Sequence, residues 1–231
     1  MNKVVIFISI AFYFIGCSES KSHKSYDAKK LIEQKCSSCH NLDLPPTLYE
    51  KELAPPMMAV THHIFNKVEV KDESLRVSNS VAFVKEYVMA PDIKKSFCDK
   101  ESLNSYGLMP SQKGNLTLEE LDAIANYMFS HFTQENLSRA QKALNEFNAM
   151  PKGEQIARKN GCFGCHRVEK SIVGPSFKAI KVKYEKSTQI LTKSIKEGSR
   201  GKWSSAKGIM PAFKKLDEEE LKSLSSWILK R

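Results

Sequence analysis

Two clusters in this 231-residue chain combine residue types able to do chemistry, Cys36-Ser37-Ser38-Cys39-His40 and Cys162-Phe163-Gly164-Cys165-His166. Both have the form C-x-x-C-H. Two thiols so spaced can add to the two vinyl groups of one porphyrin, while the adjoining histidine turns under the ring to ligate iron. The pattern reads as covalent attachment of c-type haem. Each cluster is followed at a distance by a Met-Pro pair, Met109-Pro110 and Met210-Pro211. A thioether opposite histidine completes a six-coordinate iron suited to electron transfer. Other chemistries share part of the pattern, since two C-x-x-C pairs can hold zinc and one pair can act as a redox dithiol. Neither needs a histidine directly after the second cysteine, and here that occurs twice.

These residues must be positioned by helices, and the sequence predicts an all-α chain built from two similar halves. At an offset of about 100 residues, Thr117 matches Asp217 as helix N-cap and Glu120 matches Glu220 three positions on, each completing a capping box. Leu121, Ile124, Tyr127 and Met128 then match Leu221, Leu224, Trp227 and Ile228, one apolar helical face in each half. Trp227 belongs to that face and reads as core. Short helices are expected ahead of the clusters, over roughly 27–34 and 153–159. Each half thus runs helix, C-x-x-C-H, variable loops, Met-Pro, capped helix. Between the halves, 134–150 holds Leu137, Ala140, Leu144 and Phe147 among polar residues and lacks Pro and Gly, which predicts a linker helix.

The expected organisation is a signal peptide over 1–16, a tether over 17–25, an N-terminal domain over 26–133, the linker helix over 134–150 and a C-terminal domain over 151–231. Val4 to Ile15 is apolar except for Ser9 and is too short to span a bilayer, which needs about twenty residues. Phe14-Ile15-Gly16-Cys17 resembles the lipobox of bacterial lipoproteins, with Cys17 as the acylated residue and a polar stretch after it. Of six cysteines, four then go to haem and one to lipid, leaving Cys98 alone.

Formal net charge is +10, about +9 without residues 1–16 and about +5 once four haem propionates are ionised. A basic protein suits docking to acidic redox partners or to anionic headgroups. Nucleic-acid binding does not suit an exported haem protein, and the lysines are spread along the chain rather than gathered.

From Lys152 to Arg231 the chain resembles the small bacterial class I cytochromes c. The resemblance rests on Gly161-Cys162-Phe163-Gly164-Cys165-His166, Val173-Gly174-Pro175-Ser176-Phe177, Gly198-Ser199-Arg200-Gly201-Lys202-Trp203, Ile209-Met210-Pro211 and Ser226-Trp227-Ile228-Leu229. It implies His166 and Met210 as iron ligands, the Pro175 carbonyl as hydrogen-bond acceptor for the non-ligating histidine nitrogen, and Trp203 near a haem propionate. Packing alone is the other role for Trp203. The same architecture in the first half makes the chain two tandem class I cytochrome c domains carrying two covalent haem c groups.

The first half matches this family only at its ends. His40 to Met109 spans 69 residues against 44 from His166 to Met210, and the added length carries Pro55-Pro56-Met57-Met58, His62-His63 and Cys98. Met109 is the expected sixth ligand of the first haem. His62 or His63 would give a bis-histidine haem and Cys98 a thiolate-bound one, both of lower potential. Met57 and Met58 are expected to fill gaps in packing.

The functional expectation is a lipid-anchored periplasmic dihaem carrier, not an enzyme, passing single electrons between respiratory partners. The alternatives are a dihaem oxidoreductase with catalysis at the first haem, similar to thiosulfate dehydrogenase with Cys98 as ligand, and a cytochrome subunit of a terminal oxidase or reductase.

Overall fold

The structure is a computed structural model that describes residues 25–47, 52–204 and 206–231. Residues 1–16 and Cys17, expected to form the signal peptide and lipid attachment point, lie outside the described residues. Regular structure among the described residues is helical, with isolated β-bridges in place of strands. The chain divides into two compact units, one holding 25–42 and 52–130 and the other 43–47 and 131–231.

In the first unit α1 runs Ala28–Cys36, α2 Met57–Lys67, α3 Arg76–Met89, α4 Lys100–Tyr106 and α5 Leu118–His131. Local chemistry sets their starts. Asp27 accepts from the Lys30 N–H at 3.0 Å, and Asp99 accepts from that of Ser102 at 2.7 Å. Thr117 and Glu120 exchange bonds of 3.1 and 3.0 Å, satisfying amides that the first turn of α5 leaves unpaired. Helices α2, α3 and α4 occupy part of the stretch that the sequence reading leaves as variable loops. The apolar Met57, Met58 and Ile64 of α2, with Thr61 beside them, and Val81 and Val84 of α3 are buried at helical spacing.

In the second unit α6 runs Gln134–Ala149, α7 Lys152–Lys159, α8 Phe177–Tyr184, α9 Thr188–Glu197 and α10 Glu218–Ile228. Helix α6 is counted with this unit. Asp217 and Glu220 close the capping box of α10 at 2.8 and 3.1 Å. The core gathers Ile156 and Ala157 of α7, Phe177 and Ile180 of α8, Leu191 and Ile195 of α9, and Leu221, Leu224, Trp227 and Ile228 of α10. Burying each leucine or isoleucine contributes about 1.5–3 kcal/mol. Helices α7 and α10 cross at Gly153. A Cβ there would stand 2.2 Å from Trp227 Cβ and 2.4 Å from the Ser223 carbonyl oxygen, so only glycine permits the approach.

Candidate haem site

Both C-x-x-C-H clusters fold into one local geometry. In the first unit the Cys39 and His40 amides donate to the Cys36 carbonyl at 3.1 and 2.9 Å; in the second, those of Cys165 and His166 donate to the Cys162 carbonyl at 3.2 and 3.0 Å. The helix before each cluster delivers the first cysteine, and this turn swings the histidine back toward it. Cys36 is itself the last residue of α1, so this helix reaches two residues past Gln34.

His166 is buried, and its Nδ1 lies 2.7 Å from the Pro175 carbonyl oxygen. A carbonyl can only accept, so Nδ1 carries the proton and Nε2 keeps a free lone pair, the tautomer a metal ligand requires. Two contacts hold the ring. Phe177 stacks on it with centroids 5.5 Å apart, and a Cβ at Gly174 would reach 2.5 Å from its Cε1. The Gly174 amide donates to the Cys165 carbonyl at 2.8 Å, closing the loop over the cluster.

Met210 approaches from the other end of the unit. It exchanges two 3.0 Å backbone bonds with Ser199 just after α9, and the Phe213 amide donates to the Ile195 carbonyl at 3.2 Å. Cys162, Cys165, His166 and Met210 line one cavity of about 260 Å³, walled by Phe177, Ile180, Leu191, Ile195, Trp203, Ile209 and Leu224 among others. Two thiols, an imidazole with Nε2 free and a thioether around an apolar space fit an iron porphyrin. Cys162 and Cys165 would hold its vinyl carbons and His166 and Met210 its iron. Trp203 is half-buried in the wall, 6.3 Å from the Tyr184 ring. Trp227 is 4% exposed within the core.

The first unit repeats the key relationships. His40 Nδ1 lies 2.7 Å from the Pro55 carbonyl oxygen. Burial holds the His40 pKa below its ordinary value against the opposing effect of that bond, which favours the neutral ring. Three residues beyond Met109, the Gln112 amide donates at 3.0 Å to the carbonyl of Val88 in the last turn of α3. Three beyond Met210, Phe213 makes the same bond to the last turn of α9. Met109 and Met210 thus leave equivalent anchors in equal register. The other candidates are differently engaged. Asn66 bonds to His62 at 3.0 Å, His63 Nε2 lies 2.6 Å from the Phe97 carbonyl, and Cys98 is exposed. Met57 and Met58 are buried at 3% and 5% exposure.

Burial, and then the neighbouring Cys39, push the Cys36 thiol up to about 11, and burial raises that of Cys162. Among the described residues no group of three or more His, Cys, Asp or Glu side chains is disposed to hold a metal ion.

Comparison with known proteins bears on the second unit. The cytochrome c family profile matches residues 150–231. Cytochrome c-552 of Nitrosomonas europaea is 38% identical over 77 residues, covering 32% of this chain and 73% of its own length. The chain belongs to the cytochrome c family. Cytochrome c-551 of Pseudomonas denitrificans is 36% identical over 80 residues, 33% of this chain and 94% of its own. The solved wild-type Nitrosomonas europaea cytochrome c552 shares 37% identity, covers 33% of this chain and 95% of its own, and has a TM-score of 0.30. An uncharacterized Aquifex aeolicus protein is 24% identical over 146 residues, 58% of this chain and 90% of its own. This cytochrome c therefore transfers electrons through a covalently bound haem c. No helix among the described residues is long and apolar enough to cross a membrane.

Sequence reasoning missed Pro55. It stands 15 residues after its histidine where Pro175 stands nine after, so alignment on the repeat does not find it. The available signal was a proline following each C-x-x-C-H at the start of an apolar helix. The stacking of Phe177 on His166 has no signal in the motif that contains it.

Proposed function

We propose that this cytochrome c is a tandem, two-domain carrier with a haem c in each unit, passing single electrons between redox partners. The observation that carries this reading is the doubled histidine geometry, with Nδ1 of His40 and of His166 each 2.7 Å from a proline carbonyl oxygen, which leaves Nε2 available to an iron. The equal register of Met109 and Met210 relative to Val88 and Ile195 supports a thioether as sixth ligand in both units. The 146-residue Aquifex match supports relatedness outside the 82 residues of the family span. Irons closed on both faces offer no position to substrate, so the protein carries electrons and does not catalyse.

Export and acylation at Cys17, the reading of the N-terminal sequence, would anchor the carrier on the periplasmic face of a bacterial membrane. Its positive charge suits acidic docking surfaces on the donor and acceptor. The deciding experiment is haem stoichiometry from the alkaline pyridine spectrum and intact mass. Two haems per chain are expected, falling to one in Cys36→Ala/Cys39→Ala and to one in Cys162→Ala/Cys165→Ala. A single haem in the unmodified chain would refute the two-domain reading.

A further inference from the structure

The cavity of the second unit has an apolar and sulfur-bearing wall with one ammonium among its lining residues, that of Lys202. Lys202 Nζ stands 3.3 Å from the Oγ of Ser194, a residue 5% exposed on α9 one position before Ile195. The lining includes no Asp or Glu. Among the described residues Lys202 joins no ion pair, whereas Lys196 on α9 pairs with Glu218. Lys202 is exposed to solvent while its ammonium reaches the buried Ser194 hydroxyl, so it is a charge without a carboxylate partner at the rim of the cavity.

The loop carrying Lys202 is tied in place from α8. Lys183 Nζ donates to the Lys202 carbonyl and lies 4.3 Å from the centroid of the Trp203 ring. One end of the cavity is therefore positive and polar, while His166 and Met210 occupy apolar surroundings. A haem has the complementary asymmetry, an apolar macrocycle with two carboxylates along one edge.

The geometry points to Lys202 and Ser194 as the pair that holds one haem carboxylate, ammonium and hydroxyl both donating to it. This rests on haem attachment at Cys162 and Cys165. The pairing keeps the carboxylate ionised inside the protein and cancels its charge near the iron. Reduced iron bears one positive charge fewer than oxidised iron, so a nearby cation favours reduction and raises the potential. Ser194 positions the ammonium and shares the carboxylate.

The test uses the full chain with Cys36→Ala and Cys39→Ala, so that only the second attachment motif remains, and haem content is measured before redox titration. In this background Lys202→Met is expected to lower the midpoint potential. Lys202→Arg, which keeps charge and donors, is expected to hold it, and Ser194→Ala to lower it by less. A Lys202→Met potential equal to that of the background, or equal displacement in the Met and Arg variants, overturns the assignment. Absence of haem from the background itself overturns the attachment on which the assignment stands.

Discussion

His40 and Pro55 are joined through Nδ1 and a carbonyl oxygen 2.7 Å apart, the separation that also joins His166 to Pro175. The loops that supply the two carbonyls differ in one respect. Pro175 follows Gly174, pressed against the imidazole, whereas Pro55 follows Ala54, so the first loop already accommodates a Cβ. Gly174→Ala should push the His166 ring from its place, at a cost of about 1–3 kcal/mol from overpacking. It should also disturb the optical spectrum of the second haem while leaving the first unchanged. An unaltered spectrum and denaturation midpoint would show that the ring is not held by this contact.

The Met109 and Met210 anchors predict parallel behaviour. Alanine at either should abolish the methionine-to-iron charge-transfer band of its own haem and lower that haem's potential. His63→Ala and Cys98→Ala should leave both bands in place. Optical spectra and redox titration of the four variants check this, and a first haem that lacks the band in the unmodified chain and changes its spectrum with Cys98→Ala but not with Met109→Ala would move that haem to thiolate ligation.

At the α7–α10 crossing, Gly153→Ala forces a methyl group into backbone and into Trp227. The helix-propensity gain of about 0.5–1 kcal/mol is smaller than an overpacking cost of about 1–3 kcal/mol, so a net loss of stability is expected. Denaturant unfolding of the holo-protein measures it, and a stabilised variant would contradict the close crossing.

The capping boxes should contribute similarly in the two units. Thr117→Ala and Asp217→Ala are each expected to cost about 1 kcal/mol, read from thermal unfolding. The two losses should add, because each box bonds only within its own first turn.

The formal charge of +10 predicts salt-sensitive partner exchange. Screening acts over about 10 Å at 0.1 M salt. Second-order electron-transfer rates with an acidic partner should therefore fall as ionic strength rises in stopped-flow measurements. Rates flat with salt would remove electrostatic steering from the proposal.

The ends of each unit were legible in the sequence because their signals are local. A Thr or Asp three residues before Glu, ahead of an apolar helical face, marks α5 and α10, and a Pro-free amphipathic run marks α6 almost to its last residue. The middle of the first unit was not legible, because repeat alignment treats added length as one insertion. The added length is instead divided. It falls between His40 and Pro55, between Pro55 and Val88, and between Val88 and Met109, when these are set against His166, Pro175, Ile195 and Met210. Each piece shifts the register again, so only three-dimensional anchors reveal which residues correspond. The Lys202–Ser194 contact had no sequence signal, since it joins a loop lysine to a helix position eight residues earlier.

The paired 3.0 Å bonds between Ser199 and Met210 bear on how quickly an electron can arrive or leave. With Met210 as the iron ligand, a sulfur presented from backbone pinned in both directions would have little freedom to follow the small change in bond length that accompanies a change in iron charge. Little atomic rearrangement is then needed between oxidised and reduced states, and the activation barrier to exchange is correspondingly low.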